Sequence, residues 1–213
     1  LEFVGNSMTC GYGIESDNPS DPFSKETENH YYAYPALVSE RLNAQYIAVA
    51  RSGIGIYRNY GGPVEGSIDC LPNMYDYTLY GDTTEIWDFS RYIPDIVCVN
   101  LGTNDCVLEG YSMHLLKDAF VKFSQKIRSN YPDARIIWMT GCMLHGKPLE
   151  DLQSVLDEVV QEANSAGDMR MHRFDFTPQT GELGYGAGWH PSKRQHERMA
   201  DELISFIETI VNE

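Results

Sequence analysis

The sequence has no apolar run approaching the roughly 18 to 20 residues of a membrane-spanning helix, and no low-complexity tract. Basic residues are scarce: 16 Lys and Arg stand against 31 Asp and Glu, a formal net charge of -15. Nucleic acid and anionic membrane surfaces both call for basic patches, so neither is expected as a partner. A neutral ligand such as a sugar suits this charge balance better. Cysteine is sparse as well. Cys10, Cys70, Cys98, Cys106 and Cys142 are odd in number and irregular in spacing, and no C-x-x-C pair occurs. This argues against a metal site or a disulfide framework and leaves a single bridge open. Cys98, inside an apolar run, reads as a buried small hydrophobe.

Several familiar signatures are missing too. The six histidines lack H-E-x-x-H or comparable ligand spacing. There is no G-x-S-x-G. The stretch "GCMLHGKP" (141–148) departs from a phosphate-binding loop because Pro148 stands where a hydroxyl residue would ligate magnesium. No metal, nucleotide or other cofactor is expected. A signal peptide is also lacking; the chain opens at Leu1, without a methionine and already strand-like, as a processed or excised piece would.

What is present is an alternation of strand and helix signals. At 213 residues the chain suits one domain, 1–213, with a sizeable core. Short apolar runs at 1–4, 46–50, 96–101, 135–140 and, more weakly, 171–174 predict five strands. Between and after them, Leu116, Phe120, Phe123 and Ile127 recur at helical spacing, as do Leu149, Leu152, Leu156, Val159 and Ala163. Met199, Leu203, Ile207, Ile210 and Val211 form a last stripe, introduced by the capping signal Ser192-Lys193-Arg194-Gln195. Such alternation implies βαβ units: an α/β fold whose central parallel sheet carries helices on both faces. The stretch 56–92, rich in tyrosine, glycine and proline, reads as a long loop-rich insertion.

Ligands of open parallel sheets bind at the carboxyl ends of the strands. After the first predicted strand comes Ser7 in "GNSMT", after the second Gly55 in "SGIG", and after the third Asn104 in "GTND". Just before the last helix comes His190 in "GWHPS". Taken singly, these are turn, capping or packing residues. Together they supply a hydroxyl, a base to take its proton, and donors for a tetrahedral oxyanion, namely the N–H groups of Ser7 and Gly55 with the Asn104 carboxamide. The set predicts acyl transfer through a serine nucleophile. Trp189 is expected at the pocket mouth, where it could stack on a pyranose, with Tyr57 and Tyr60 as further substrate-binding candidates.

These blocks resemble those of the SGNH (GDSL) hydrolases. "TCGYG", "SGIGIYRNYGG" and "WDFSRYIPDIVCVNLGTND" are similar to carbohydrate esterase family 2, over nearly the whole chain. The resemblance implies a flavodoxin-like three-layer α/β/α sandwich with a central five-stranded parallel sheet. It implies Ser7 as nucleophile, His190 as base, and an oxyanion hole of Ser7, Gly55 and Asn104. The substrate would be an acetylated polysaccharide or oligosaccharide such as acetyl-xylan or glucomannan, handled outside the cell or in the periplasm. Members often carry a separate N-terminal β-rich domain, which this sequence does not include. Two positions depart from the pattern. Asn6 replaces the usual Asp of Gly-Asp-Ser, and Ala187 stands where Asp-x-x-His places the orienting acid. A Ser–His dyad is therefore expected, with the His190 Nδ1–H on a main-chain carbonyl within 186–189; Asp105, Asp175 and Glu182 remain alternative acids. A lysophospholipase or thioesterase of the same superfamily, and a glycan-binding module with weak esterase activity, are the competing functional readings.

Overall fold

The computed structural model describes residues 1–212. In chain order, β1 (Glu2–Gly5) runs into the one-turn helix α1 (Ser7–Cys10), followed by α2 (Tyr34–Arg41) and β2 (Ile47–Ala50). A short helix α3 (Leu71–Met74) and a hairpin of β3 (Tyr77–Leu79) and β4 (Asp82–Ile86) precede β5 (Ile96–Asn100) and the one-turn α4 (Thr103–Cys106). The chain then alternates through α5 (Met113–Asn130), β6 (Arg135–Thr140), α6 (Gly146–Ser165), β7 (Met171–Asp175) and α7 (Lys193–Val211).

The five apolar runs all become strands of one parallel sheet, ordered β2-β1-β5-β6-β7. Alternation along each strand sends its side chains to opposite faces. Val4, Val97, Val99, Ile136 and Trp138 meet Leu116, Phe120, Phe123 and Ile127 of α5 and Leu152, Leu156 and Val159 of α6. Phe3, Cys98, Ile137 and Met139 point the other way, against Val38 of α2 and Met199, Leu203, Ile207 and Ile210 of α7. Both faces of the sheet are therefore covered, giving the three-layer α/β/α sandwich. Each large apolar side chain buried in these layers contributes about 1.5–3 kcal/mol, an upper estimate from transfer data.

Local chemistry sets the helix ends. Ser112 and Ser192 cap α5 and α7 by accepting from the N–H of Leu115 (3.3 Å) and Gln195 (3.2 Å). Only half of the expected capping box forms, because the Gln195 side chain turns inward and is buried. Val211, predicted on the buried stripe, is exposed; one residue beyond Ile210 the helix has rotated by about 100°. All five cysteines are free thiols.

Removing the β3–β4 hairpin from the count leaves strand order 2-1-3-4-5, the flavodoxin-like order. Its reversal point falls between β1 and β5, whose register pairs Gly5 with Asn100. The loops after these two strands begin side by side at the rim. Beyond its first residues, the 56–92 insertion packs beside edge strand β2. There a cavity of about 320 Å³ is walled by Ile47, Val49, Tyr75, Tyr77, Trp87 and Phe89, and reaches Ile54. No helix among the described residues is long and apolar enough to cross a membrane.

Candidate active site

Ser7 is the first residue of α1, immediately past the end of β1. The turn between them needs Gly5, since a Cβ there would fall 2.0 Å from Thr9 Oγ1. Asn6 caps α1 by accepting from the N–H of Met8 at 3.1 Å. Asn6 therefore keeps the capping acceptor that an aspartate would supply beside the serine, with a donor amide nitrogen in place of the second carboxylate oxygen. The rest of the one-turn helix is tied into the fold: Thr9 O accepts from His30 Nδ1 (2.7 Å), and Thr9 Oγ1 bonds the Tyr34 hydroxyl (2.9 Å). At the first helical position, the Ser7 N–H has no intrahelical partner.

His190 arrives from the other end of the chain, on the loop that follows the short turn Ala187–Trp189. Its Nε2 lies 2.9 Å from Ser7 Oγ. Its Nδ1 lies 3.0 Å from Gly188 O and 3.2 Å from Ala187 O. Carbonyls only accept, so Nδ1 carries the proton and Nε2 is left to accept from the serine hydroxyl. The expected main-chain anchor is present. Asp105 and Asp175, two of the alternative acids, are engaged elsewhere. Asp105 accepts from the N–H groups of Ile56, Tyr57 and Arg58. Asp175 accepts from Thr140 Oγ1 and pairs with Arg173. Neither they nor Glu182 hydrogen-bonds to His190 among the described residues. Burial lowers the His190 pKa, while the Gly188 and Ala187 carbonyls pull it the other way.

The histidine loop is held from three sides. Ala187 N–H donates to Gly13 O (3.0 Å), Gly188 N–H to Asp21 O (3.1 Å), and Gln179 Nε2 to Trp189 O (2.9 Å). Gly188 and Trp189 follow one another in the left-handed region, at φ 57° and 60°. That conformation is uncommon for a bulky residue such as Trp and is sustained here by the bonds on either side.

Asn104 lies on α4, one turn past β5, and one hydrogen of its amide donates to Ile54 O at 2.8 Å. This bond aims the side chain at the 53–55 turn and leaves its second amide hydrogen free. Gly55, expected as an oxyanion donor, does something else. Its N–H donates to Asn59 Oδ1 at 3.0 Å, and a Cβ would lie 1.9 Å from Arg58 O and 2.8 Å from Asp105 Oδ1. It is a glycine because the chain folds tightly over the buried Asp105. The neighbouring Gly53, at φ 78°, has an N–H without a hydrogen bond among the described residues.

Tyr57 is a second correction. It is buried at 8% exposure in the sheet core, and its hydroxyl accepts from Ser112 N–H at 2.8 Å. Because the N–H groups of 56–58 wrap Asp105, the Tyr57 side chain is driven inward. Tyr60 and Trp189 are exposed, at 61% and 57%. Tyr60 is tied to the 53–55 turn by its N–H bond to Gly53 O (2.8 Å), and Trp189 packs edge-on to Tyr185 at 5.3 Å. Sequence reasoning overlooked Tyr12, whose ring stacks on His190. The available signal was its place between two glycines at the end of the nucleophile turn.

A strand-end serine bonded to a carbonyl-anchored histidine, at the reversal point of a parallel sheet, defines an α/β protein of the serine-hydrolase kind. The chain belongs to the GDSL-like Lipase/Acylhydrolase family, whose pattern matches residues 3–198. It is 39% identical to cellulase/esterase CelE of Acetivibrio thermocellus over 97% of its own length, and covers 25% of that relative. It is 30% identical to an acetylxylan esterase / glucomannan deacetylase of Cellvibrio japonicus, over 98% of this chain and 56% of that one. The fold superposes with TM-score 0.94 and 37% identity on a family two carbohydrate esterase from Clostridium thermocellum in complex with cellohexaose. That match covers 99% of this chain and 64% of the other. The chain thus spans a quarter to just over half of these two curated relatives.

Proposed function

We propose that residues 1–213 form the esterase domain of a carbohydrate deacetylase. It would remove O-acetyl groups from plant cell-wall polysaccharides such as acetylated xylan or glucomannan. The observation that carries this reading is the 2.9 Å contact between Ser7 Oγ and a His190 ring whose tautomer is fixed by main-chain carbonyls. In the first step Nε2 takes the Ser7 proton as Oγ attacks the acetyl carbonyl. The sugar oxygen leaves with that proton. Water then attacks the acetyl-enzyme, with His190 again as base, and acetate is released. The oxyanion of each tetrahedral intermediate is held by the Ser7 and Gly53 N–H groups and the free Asn104 amide hydrogen, with Gly53 replacing Gly55 in that role. The chain's own groups supply this chemistry. Trp189 and Tyr60 flank the rim as exposed ring faces on which neutral pyranose rings can stack. A cell-wall polymer does not enter a cell, so a secreted or periplasmic location accompanies this reading.

Asn104→Ala is expected to lower kcat by about 10²- to 10³-fold with little change in KM, the loss typical of one oxyanion donor. Steady-state kinetics on 4-nitrophenyl acetate check this; a pure KM effect would make Asn104 a ground-state contact instead. The substrate class is tested with nitrophenyl esters from acetate to octanoate beside acetylated xylan and glucomannan. Turnover confined to acetyl esters and the two glycans is expected. Rates rising toward octanoate would assign the site to lipid esters, and glycan binding without turnover would make it a binding module.

A further inference from the structure

Tyr12 lies face to face with the His190 imidazole, ring centroids 4.0 Å apart and planes inclined by 27°. Its position is closely determined. The Tyr12 N–H donates to Ser7 O at 3.1 Å, and Phe23 packs against the phenol ring at 5.0 Å. A Cβ on Gly188 would come within 3.2 Å of the Tyr12 ring and 3.4 Å of His190 Nδ1, so the glycine admits the stack. The backbone turn that presents the nucleophile therefore also presents an aromatic face to the base.

The chemistry of acyl transfer gives this stack a use. The Ser7 O–H bond breaks as its proton passes to Nε2, Oγ bonds to the acyl carbon, and the imidazole becomes a cation. In a Ser–His–Asp arrangement a carboxylate stabilises that cation, whereas here Nδ1 meets only neutral carbonyls. An aromatic face attracts a cation and does little for a neutral ring. We propose that Tyr12 is a positioning residue for His190, whose ring face favours the imidazolium form and takes over part of the work of the missing Ala187-site carboxylate. This inference rests on the esterase reading above.

Other charges around the ring are weak competitors for that role. His196 on α7 is fully buried, its pKa pushed down to about 3 mainly by burial, and remains neutral. The Asp21 carboxylate, on the segment packed against Gly188, is bound by Ser16 Oγ and Asn18 Nδ2. Glu15 and Lys193 neutralise each other at 3.1 Å on the surface.

The test follows the His190 imidazole by NMR titration, alongside the pH profile of kcat/KM on 4-nitrophenyl acetate, in wild type, Tyr12→Phe and Tyr12→Leu. Tyr12→Phe keeps the ring face and should hold the wild-type midpoint. Tyr12→Leu should move the midpoint down by about 0.4 to 1.5 pH units and lower kcat by about 2- to 30-fold at constant KM. Pentafluorophenylalanine at position 12 keeps the shape but reverses the ring quadrupole, so it should behave as the Leu variant even if the latter fails to fold. A pentafluoro variant with the wild-type midpoint and kcat would overturn the proposal, as would a Tyr12→Phe loss equal to that of Leu. Failure of the esterase reading is seen separately, because wild type would then show no turnover of acetyl esters, or turnover that survives Ser7→Ala, whatever the His190 midpoint does.

Discussion

Ser7→Ala is expected to lower kcat/KM on acetyl esters by about 10⁴-fold or more, with the melting temperature nearly unchanged. The change deletes one oxygen at the head of a one-turn helix whose position depends on other contacts. Asn6 still caps Met8, Thr9 still bonds His30 and Tyr34, and the Ser7 carbonyl still accepts from Gly11 and Tyr12. What disappears is the hydrogen-bond partner of His190 Nε2 among the described residues. On the proposed mechanism the oxyanion donors remain and would account for the residual rate. Kinetics on 4-nitrophenyl acetate, paired with thermal denaturation, make the comparison. Wild-type turnover in this variant would remove Ser7 from the mechanism, and a large fall in melting temperature would assign it a structural role.

His190→Ala should be nearly as severe, and the Ser7→Ala/His190→Ala double variant should be no slower than about the worse single one. Nucleophile and base act as a unit, so once either is gone the other has nothing left to do. A double variant slower by the product of the two losses would show that the residues act independently. As the proposed base, the same histidine is expected to set the acid limb of the pH profile. It must be neutral to accept the serine proton, so kcat/KM rises as pH rises through its pKa. Burial lowers that pKa, which places the limb below the usual imidazole value of about 6.5 and keeps the enzyme active further into the acid range. A limb above 6.5 would mean that the contacts favouring the imidazolium outweigh its burial.

Much of this was legible in the residues themselves. The runs beginning at Leu1, Tyr46, Ile96, Arg135 and Met171 became the five parallel strands because short β-branched and apolar stretches, separated by helical stripes, have few other ways to bury themselves. That alternation put the residues after β1 and β5, Ser7 and Asn104 among them, at neighbouring strand ends, and the pairing of Ser7 with His190 is the part of the expected set the structure shows directly. The absence of an acid at Ala187 was enough to direct Nδ1 to a backbone carbonyl, where the structure has it. The strand and rim readings rest on local periodicity and the topology it implies, and the Nδ1 reading on the departure at Ala187 from the Asp-x-x-His pattern.

The remainder depended on which backbone groups were already spoken for, and that is a property of three dimensions. Gly53 and Gly55 are equivalent in "SGIG"; only the folded turn shows the Gly55 N–H committed to Asn59 and the chain wrapped over Asp105. Tyr57 and Tyr60 stand three residues apart in one aromatic stretch, yet Asp105 draws the first inward and leaves the second in solvent. The stack of Tyr12 on His190 joins positions at opposite ends of the sequence, through glycines whose missing Cβ atoms no pattern of spacing records. Sequence periodicity determined the sheet and its rim because burial of apolar faces is a local, repeating demand. The tertiary structure decided which N–H groups of the 53–55 turn are engaged and which ring stacks on His190, because a hydrogen bond or a ring stack is assigned by whichever distant group arrives first.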